Sequence, residues 1–156
     1  MAYHDDLLAQ ALLLVHLTPQ TQASLRRSVS AAYYSVFHLL ISEATSNWSN
    51  VTLRTTLGRA FDHGPMKQAS IRVANLQQSP FAGEDPHVVT SLRFVAQSFT
   101  QLQEERHFAD YNLTRDLNPL DALTQVKSAE KVFQLWPQIR AKQITEEYLV
   151  ALVVRR

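Results

Sequence analysis

An all-α fold is predicted for this chain: a single domain of four to five bundled helices with a short C-terminal extension. Three features carry that prediction. Apolar residues recur at alternating steps of three and four along several long segments, the period of a helix with one buried face. The 156 residues hold only three glycines and six prolines, too few for the tight turns of a β-sandwich. A 46% hydrophobic content at this length supports one buried core without disulfides or metals. The expected domain covers residues 1–156, with a helical core over about 4–141 and a tail over 142–156.

The first helix is expected from about His4 to Leu17, with Leu7, Leu8, Ala11, Leu12 and Val15 on one side. Thr18 and Pro19 then read as an N-cap and first-turn proline, opening a long second helix to about Ala44. Its core stripe is Leu25, Val29, Ala32, Val36, Leu40 and Ala44, and Ser46 to Asn50 reads as a loop. The third segment, Val51 to Leu76, is interrupted at His63-Gly64-Pro65, where glycine followed by proline predicts two shorter helices or a sharp kink. Ser79 to Pro86 reads as a loop. A fourth helix follows from about Pro86 to Tyr111, with Val88, Leu92, Val95, Phe99 and Leu102 on its stripe. Asn118-Pro119-Leu120-Asp121 supplies an N-cap, a proline at the first helical position and a first-turn acid. That opens a fifth helix to about Ala141, with Ala122, Val126, Ala129, Phe133 and Trp136 inward. Thr145-Glu146-Glu147 can cap a short last helix, while the bulky, β-branched run Tyr148 to Val154 also suits a strand or a dimer-forming tail.

Charge and composition narrow the function classes. A formal net charge of +1 gives no strong overall field, so any attraction for nucleic acid must come from local clustering. With no cysteine, disulfide frameworks, thiolate zinc sites and cysteine nucleophiles are excluded, in keeping with a reducing cytoplasm. Met1 to Asp6 carries two acids and no basic stretch, so no secretory signal is expected. The apolar runs Ala11 to Val15 and Tyr148 to Val154 fall far short of the ~20 residues that span a bilayer, and no membrane association is expected. His4, His16 and His87 lack ligand spacing, and no Gly-rich phosphate loop, Ser-His-acid arrangement or paired-carboxylate motif is present. Neither metal nor cofactor is expected. Arg155-Arg156 reads as an ordinary solvated end.

The residues that could carry chemistry lie on two helix faces. Leu102 to Arg106 is a step of four, so Arg106 continues the apolar stripe of the fourth helix. A guanidinium left unpaired there costs on the order of several kcal/mol in lost hydration. It must be paired, snorkelled or set in a wet cleft. Asp110, one turn on, offers the plainer explanation, an i,i+4 ion pair worth roughly a few tenths of a kcal/mol. On the second helix, Arg27, Ala31, Tyr34, His38 and Ile41 form another stripe, rotated away from the core. Such a row can bind phosphate through arginine, stack a base on tyrosine and offer a group that titrates near neutral pH. It can equally be a half-exposed face presenting polar tips. His63 stands at a helix break, and His107, adjacent to Arg106, projects about 100° away onto the outer face.

Two of these segments bear a family likeness. Arg26-Arg27-Ser28-Val29-Ser30-Ala31-Ala32-Tyr33-Tyr34-Ser35-Val36-Phe37-His38 resembles the R-x-x-x-x-A-Y-Y-x-x-F-H helix of HEPN domains. Arg106-His107-Phe108-Ala109-Asp110-Tyr111 resembles the R-x-x-A-D-Y signature of a prokaryotic HEPN branch. Phe61-Asp62-His63-Gly64 is similar to that branch's His-Gly turn, and Leu120 to Phe133 to its closing helix. The resemblance spans roughly Leu7 to Trp136.

It implies a bundle of four long helices, often paired as a homodimer. It also implies RNA binding, with metal-independent ribonuclease activity of the toxin–antitoxin or defence type. The alternative is a non-catalytic module that binds nucleotide or a protein partner, either an antitoxin or a small nucleotidyltransferase. The usual HEPN catalytic signature places a histidine four to six residues after the arginine; here Asp110 and Tyr111 stand in that place. In the ribonuclease reading Arg106 stabilises the phosphorane charge, Tyr111 donates to phosphate, and His38 or His63 is the general base. Asp110 orients Arg106, while Arg27, Tyr34 and His38 contact nucleic acid or nucleotide.

Overall fold

The computed structural model describes residues 1–75 and 83–154, and all regular structure among them is helical. The elements are α1 (Tyr3–Val15), α2 (Gln22–Thr45), α3 (Val51–Gly58), α4 (His63–Asn75), α5 (Pro86–Tyr111), α6 (Pro119–Ile139) and α7 (Gln143–Val153). The helical class is as expected. The count is not: seven helices are described against the four to five predicted, because the third segment divides and the expected tail is a helix. Leu76, the start of the predicted loop from Ser79 to Ala82, and Arg155-Arg156 lie outside the described residues.

Local chemistry explains where the helices begin. At α5 the Asp85 side chain accepts from the His87 amide at 2.9 Å, and at α6 Asn118 Oδ1 accepts from the Leu120 amide at 2.8 Å. Both helices then place proline in the first turn, where a missing amide loses no intrahelical bond. α2 opens later than expected, after Thr21 rather than at Pro19. The Thr21 hydroxyl accepts from the Ser24 amide (3.1 Å), and Ser24 Oγ accepts from the Thr21 amide (3.0 Å). This reciprocal pair satisfies two orphan donors at once, which Thr18-Pro19 cannot do. The break in the third segment likewise falls earlier, after Gly58, and His63-Gly64-Pro65 forms the first turn of α4. Proline is tolerated there for the same reason it is tolerated in α5 and α6.

α2 is the central element, packed against α1, α5 and α6, and α5 in turn packs on α4 and α6. The predicted stripes face inward: Leu25, Val29, Ala32, Val36 and Leu40 of α2 meet Val88, Leu92, Val95, Phe99 and Leu102 of α5 in one buried cluster. Ala122, Val126, Ala129 and Trp136 of α6 complete it, with Phe133 partly buried at its edge. No helix among the described residues is long and apolar enough to cross a membrane.

The C-terminal run is neither strand nor loose tail. α7 packs on α4 and buries Ile144, Thr145, Tyr148, Leu149 and Leu152. Thr145 is thus inside the helix rather than its cap. Tyr148 is only 1% exposed, and its hydroxyl shares a 2.7 Å hydrogen bond with Ser70 of α4. Burial of one apolar face outweighs the modest strand preference of its β-branched residues, since propensity spans only ~1 kcal/mol per residue. Tyr148→Ala is therefore expected to destabilise the fold by about 3–5 kcal/mol in urea denaturation, the range for removing a buried aromatic. A residue in an undocked tail would cost within ~0.5 kcal/mol.

Candidate anion-binding site at the junction of α2, α4 and α5

α2 presents two adjacent tyrosines, and the structure uses both. Tyr33 is fully buried among Phe37, Phe99 and His63, its ring 5.6 Å from Phe99 and 5.6 Å from His63. Tyr34, about 100° further round the helix, is half-buried and packs on Tyr33 edge-on at 5.1 Å. Across the seam, α5 lays Arg106 over both rings, its guanidinium carbon 5.2 Å from the Tyr33 centroid and 5.7 Å from that of Tyr34. Cation–π contact on two faces partly replaces the water that the guanidinium has lost.

The ionic partner is loose. Arg106 Nη1 lies 3.6 Å from Asp110 Oδ2, with the arginine side chain 11% exposed. That oxygen is also 3.5 Å from Ser30 Oγ of α2. A tight guanidinium–carboxylate hydrogen bond would measure about 2.7–2.9 Å. The buried Nε of Arg106 has no hydrogen-bond partner among the described residues. Lys67, Gln103, Glu104, Arg106 and His107 line a hollow of about 280 Å³ between α4 and α5, and Lys67 and Glu104 pair across it at 3.1 Å.

His63 enters from the first turn of α4. Its ring stacks on Phe37 with centroids 4.4 Å apart, and its Nδ1 meets the Tyr33 hydroxyl at 2.5 Å. Burial pushes the Tyr33 phenol far above its usual range, against the smaller opposing pull of Arg106, so the hydroxyl keeps its proton. A buried O–H must donate, which makes Nδ1 the acceptor and puts the hydrogen of the neutral imidazole on Nε2. The Gln103 side chain donates to the His63 carbonyl at 3.3 Å, tying α5 to the start of α4.

The end of α5 is held by a residue the sequence reading passed over. Arg26 Nη1 donates to the carbonyls of Ala109 (3.0 Å) and Asn112 (2.7 Å), with a longer contact to that of Phe108 (3.4 Å). Its Nη2 donates to the Arg115 carbonyl at 2.7 Å. Gln22, one turn earlier, accepts from the Leu117 amide at 2.8 Å and donates to the Leu117 carbonyl at 3.0 Å. The last carbonyls of a helix lack internal partners, and a cation there also suits the negative end of the helix dipole.

The predicted site residues divide accordingly. Arg106, Asp110, Tyr34 and His63 come together at this junction. Arg27 is exposed, two turns of α2 from Tyr34. His38 turns toward α1, its ring edge-on to Tyr3 at 5.0 Å, and its other ring contacts are Tyr34 and Phe37. Tyr111 is an exposed residue whose ring packs on His107 at 5.1 Å. Tyr33 was missed as a site residue, although its place beside Tyr34 in the A-Y-Y run was the available signal. Among the described residues, no group of three or more His, Asp or Glu side chains is placed to hold a metal ion. No family model, curated protein or solved structure matches this chain.

Both imidazoles on this face of α2 are held below their usual range. Desolvation is the largest cause for each. His4 and then His63 add to it at His38, and Arg106 adds to it at His63, where Asp62 opposes. A folded pKa below the unfolded value of about 6.5 means that the unfolded chain binds more protons in between. The stability tied to neutral His38 and His63 is therefore complete above pH ~6.5 and lost as pH falls through the folded values. Melting temperature should drop on acidification from pH ~7.5 to ~5.5, and the drop should be shallower in a His38→Gln, His63→Gln double variant.

Proposed function

We propose that the chain is a HEPN-like protein that binds RNA by holding a phosphodiester at Arg106, in a pocket equipped for metal-independent cleavage. The observation that carries this reading is the state of Arg106. It is a nearly buried cation, supported by two aromatic faces, with one loose carboxylate contact and an Nε lacking a hydrogen-bond partner. An ion pair kept only for stability would be expected to close to direct hydrogen-bond distance. The R-x-x-A-D-Y and A-Y-Y-x-x-F-H segments meet at this arginine, which supports the HEPN resemblance read from sequence.

The chemistry that fits is attack of the ribose 2′-oxygen on phosphorus. A P–O2′ bond forms, the P–O5′ bond breaks, the 2′-hydroxyl proton passes to a base, and the 5′-oxygen takes a proton from solvent water as it leaves. Arg106 would stabilise the extra negative charge on the phosphorane, and Asp110 would orient it. His63 suits the base role because its lowered pKa keeps it unprotonated near neutral pH. That role requires the other tautomer, with Nε2 free to accept the proton and Nδ1–H directed at the Tyr33 oxygen, so the Tyr33 O–H must turn away from His63. The partners that accompany this reading are a second copy of the chain, and an antitoxin or nucleotidyltransferase, as the resemblance implies.

The test is cleavage and binding of end-labelled single-stranded RNA with a chelator present. Arg106→Ala should weaken binding and slow cleavage about a hundred- to a thousandfold. His63→Gln should leave binding intact while cutting the rate by about 10²–10⁴, and the wild-type rate should rise with pH through the lowered His63 pKa. Binding without cleavage would assign the non-catalytic role, and no binding at all would overturn the reading.

A further inference from the structure

Beyond Arg106, α5 ends in an exposed aromatic surface that neither the core nor the phosphodiester contact uses. His107 and Tyr111, one turn apart, hold their rings 5.1 Å apart at 52°. Tyr111 is 67% exposed and Leu113 79% exposed. With Glu104, Phe108, Asn112 and Thr114 they line an open groove of about 490 Å³. Glu104 and His107 also line the hollow at Arg106, so the two spaces share a wall.

The floor of this groove is fixed in advance. Arg26 grips the carbonyls of Phe108, Ala109, Asn112 and Arg115. Asn112 Oδ1 accepts from the Thr114 amide (3.0 Å) and hydroxyl (2.6 Å), closing the turn after α5. Arg115 lies over the Phe108 ring at 4.6 Å. A groove held in this way loses little conformational freedom when a flat ligand enters.

Charge bears on what that ligand is. Lys67 is matched by Glu104 at 3.1 Å, while Arg106 keeps only the loose contact to Asp110 at 3.6 Å. One loosely paired guanidinium suits the single charge of an internal phosphodiester, which also brings flanking bases, better than a terminal phosphate dianion. The affinity that charge does not supply must come from stacking, worth roughly five- to a hundredfold per base.

We propose that the His107–Tyr111 groove is a nucleobase subsite, seating the base of a nucleotide that adjoins the phosphodiester at Arg106. This rests on the reading of Arg106 as a phosphodiester site. Tyr111 acts here through its ring face rather than by donating its hydroxyl to phosphate. The ligand class is single-stranded RNA with an unpaired base at this position, since a base within a duplex has no free face to offer.

The experiment is anisotropy of a short labelled single-stranded RNA and of the same strand made abasic, with circular dichroism confirming that each variant is folded. Tyr111→Ala should weaken the base-bearing strand about five- to a hundredfold and leave the abasic strand unchanged, while Tyr111→Phe should bind both like wild type. Unchanged affinity of Tyr111→Ala for the base-bearing strand would overturn the subsite. Equal losses in the Phe and Ala variants would overturn it too, by assigning the hydroxyl to phosphate. Arg106→Ala on the abasic strand reports separately on the phosphodiester reading. A Tyr111 effect that persists without an Arg106 effect would retain the base groove and remove the phosphate assignment. A wild-type protein that binds neither strand would overturn both.

Discussion

A guanidinium placed on the seam between two long helices is the constraint around which the α2–α4–α5 junction is arranged. Arg106 has lost most of its water, so the surrounding residues must stand in for it. Tyr33 and Tyr34 offer ring faces, and Asp110 offers a carboxylate at a distance too long for a tight bond. Tyr33 can do this only because Phe99 and Phe37 pack around it, which couples the site to the core cluster of α2 and α5. Stability and the proposed binding therefore draw on the same residue.

The compensation is deliberately incomplete in physical terms. Arg106 Nη1 keeps only the loose contact to Asp110, and Nε has no hydrogen-bond partner among the described residues. Replacing the loose Asp110 contact with a phosphate oxygen exchanges one anion for another without stranding the charge. The Tyr33–His63 contact adds an imidazole that burial and Arg106 together hold neutral, so the junction combines a fixed cation with a group able to take up a proton. Those are complementary capacities.

Rigidity comes from outside the cluster. The Arg26 clamp and the Gln22–Leu117 pair fasten the end of α5 and the chain after it to the first turns of α2. On α4, the Gln103 bond to the His63 carbonyl and the Lys67–Glu104 pair do the same. α7 backs α4 through Tyr148 and Ser70, so even the last helix contributes to where His63 stands. A site built on helix faces and fastened at both ends holds its geometry better than one carried by loops.

Much of the fold was written in local patterns. Helical period, the Asn118 cap, and the inward stripes of α2, α5 and α6 depend on residues within a few positions of one another, so the sequence shows them directly. The anomaly of Arg106 was visible for the same reason, as a charge on an apolar stripe, and so was its i,i+4 neighbour Asp110. Other features were not. Thr21 displaced Thr18-Pro19 as the cap because of a reciprocal bond that composition does not rank, and of the helix and strand readings open for the C-terminal run, α4 selects the helix by giving it a surface to bury against. His38 and His63 were equal candidates by type, and only the packing of α1 on α2 and of α4 on α5 turned one toward Tyr3 and the other onto Tyr33. Arg26 looked no different from Arg27, since its acceptors lie 82 to 89 positions further along the chain. The sequence by itself determined which faces are apolar and where a charge is out of place. Which polar groups meet was decided by tertiary structure alone, because hydrogen bonds and ring contacts between helices depend on distances that no local pattern encodes.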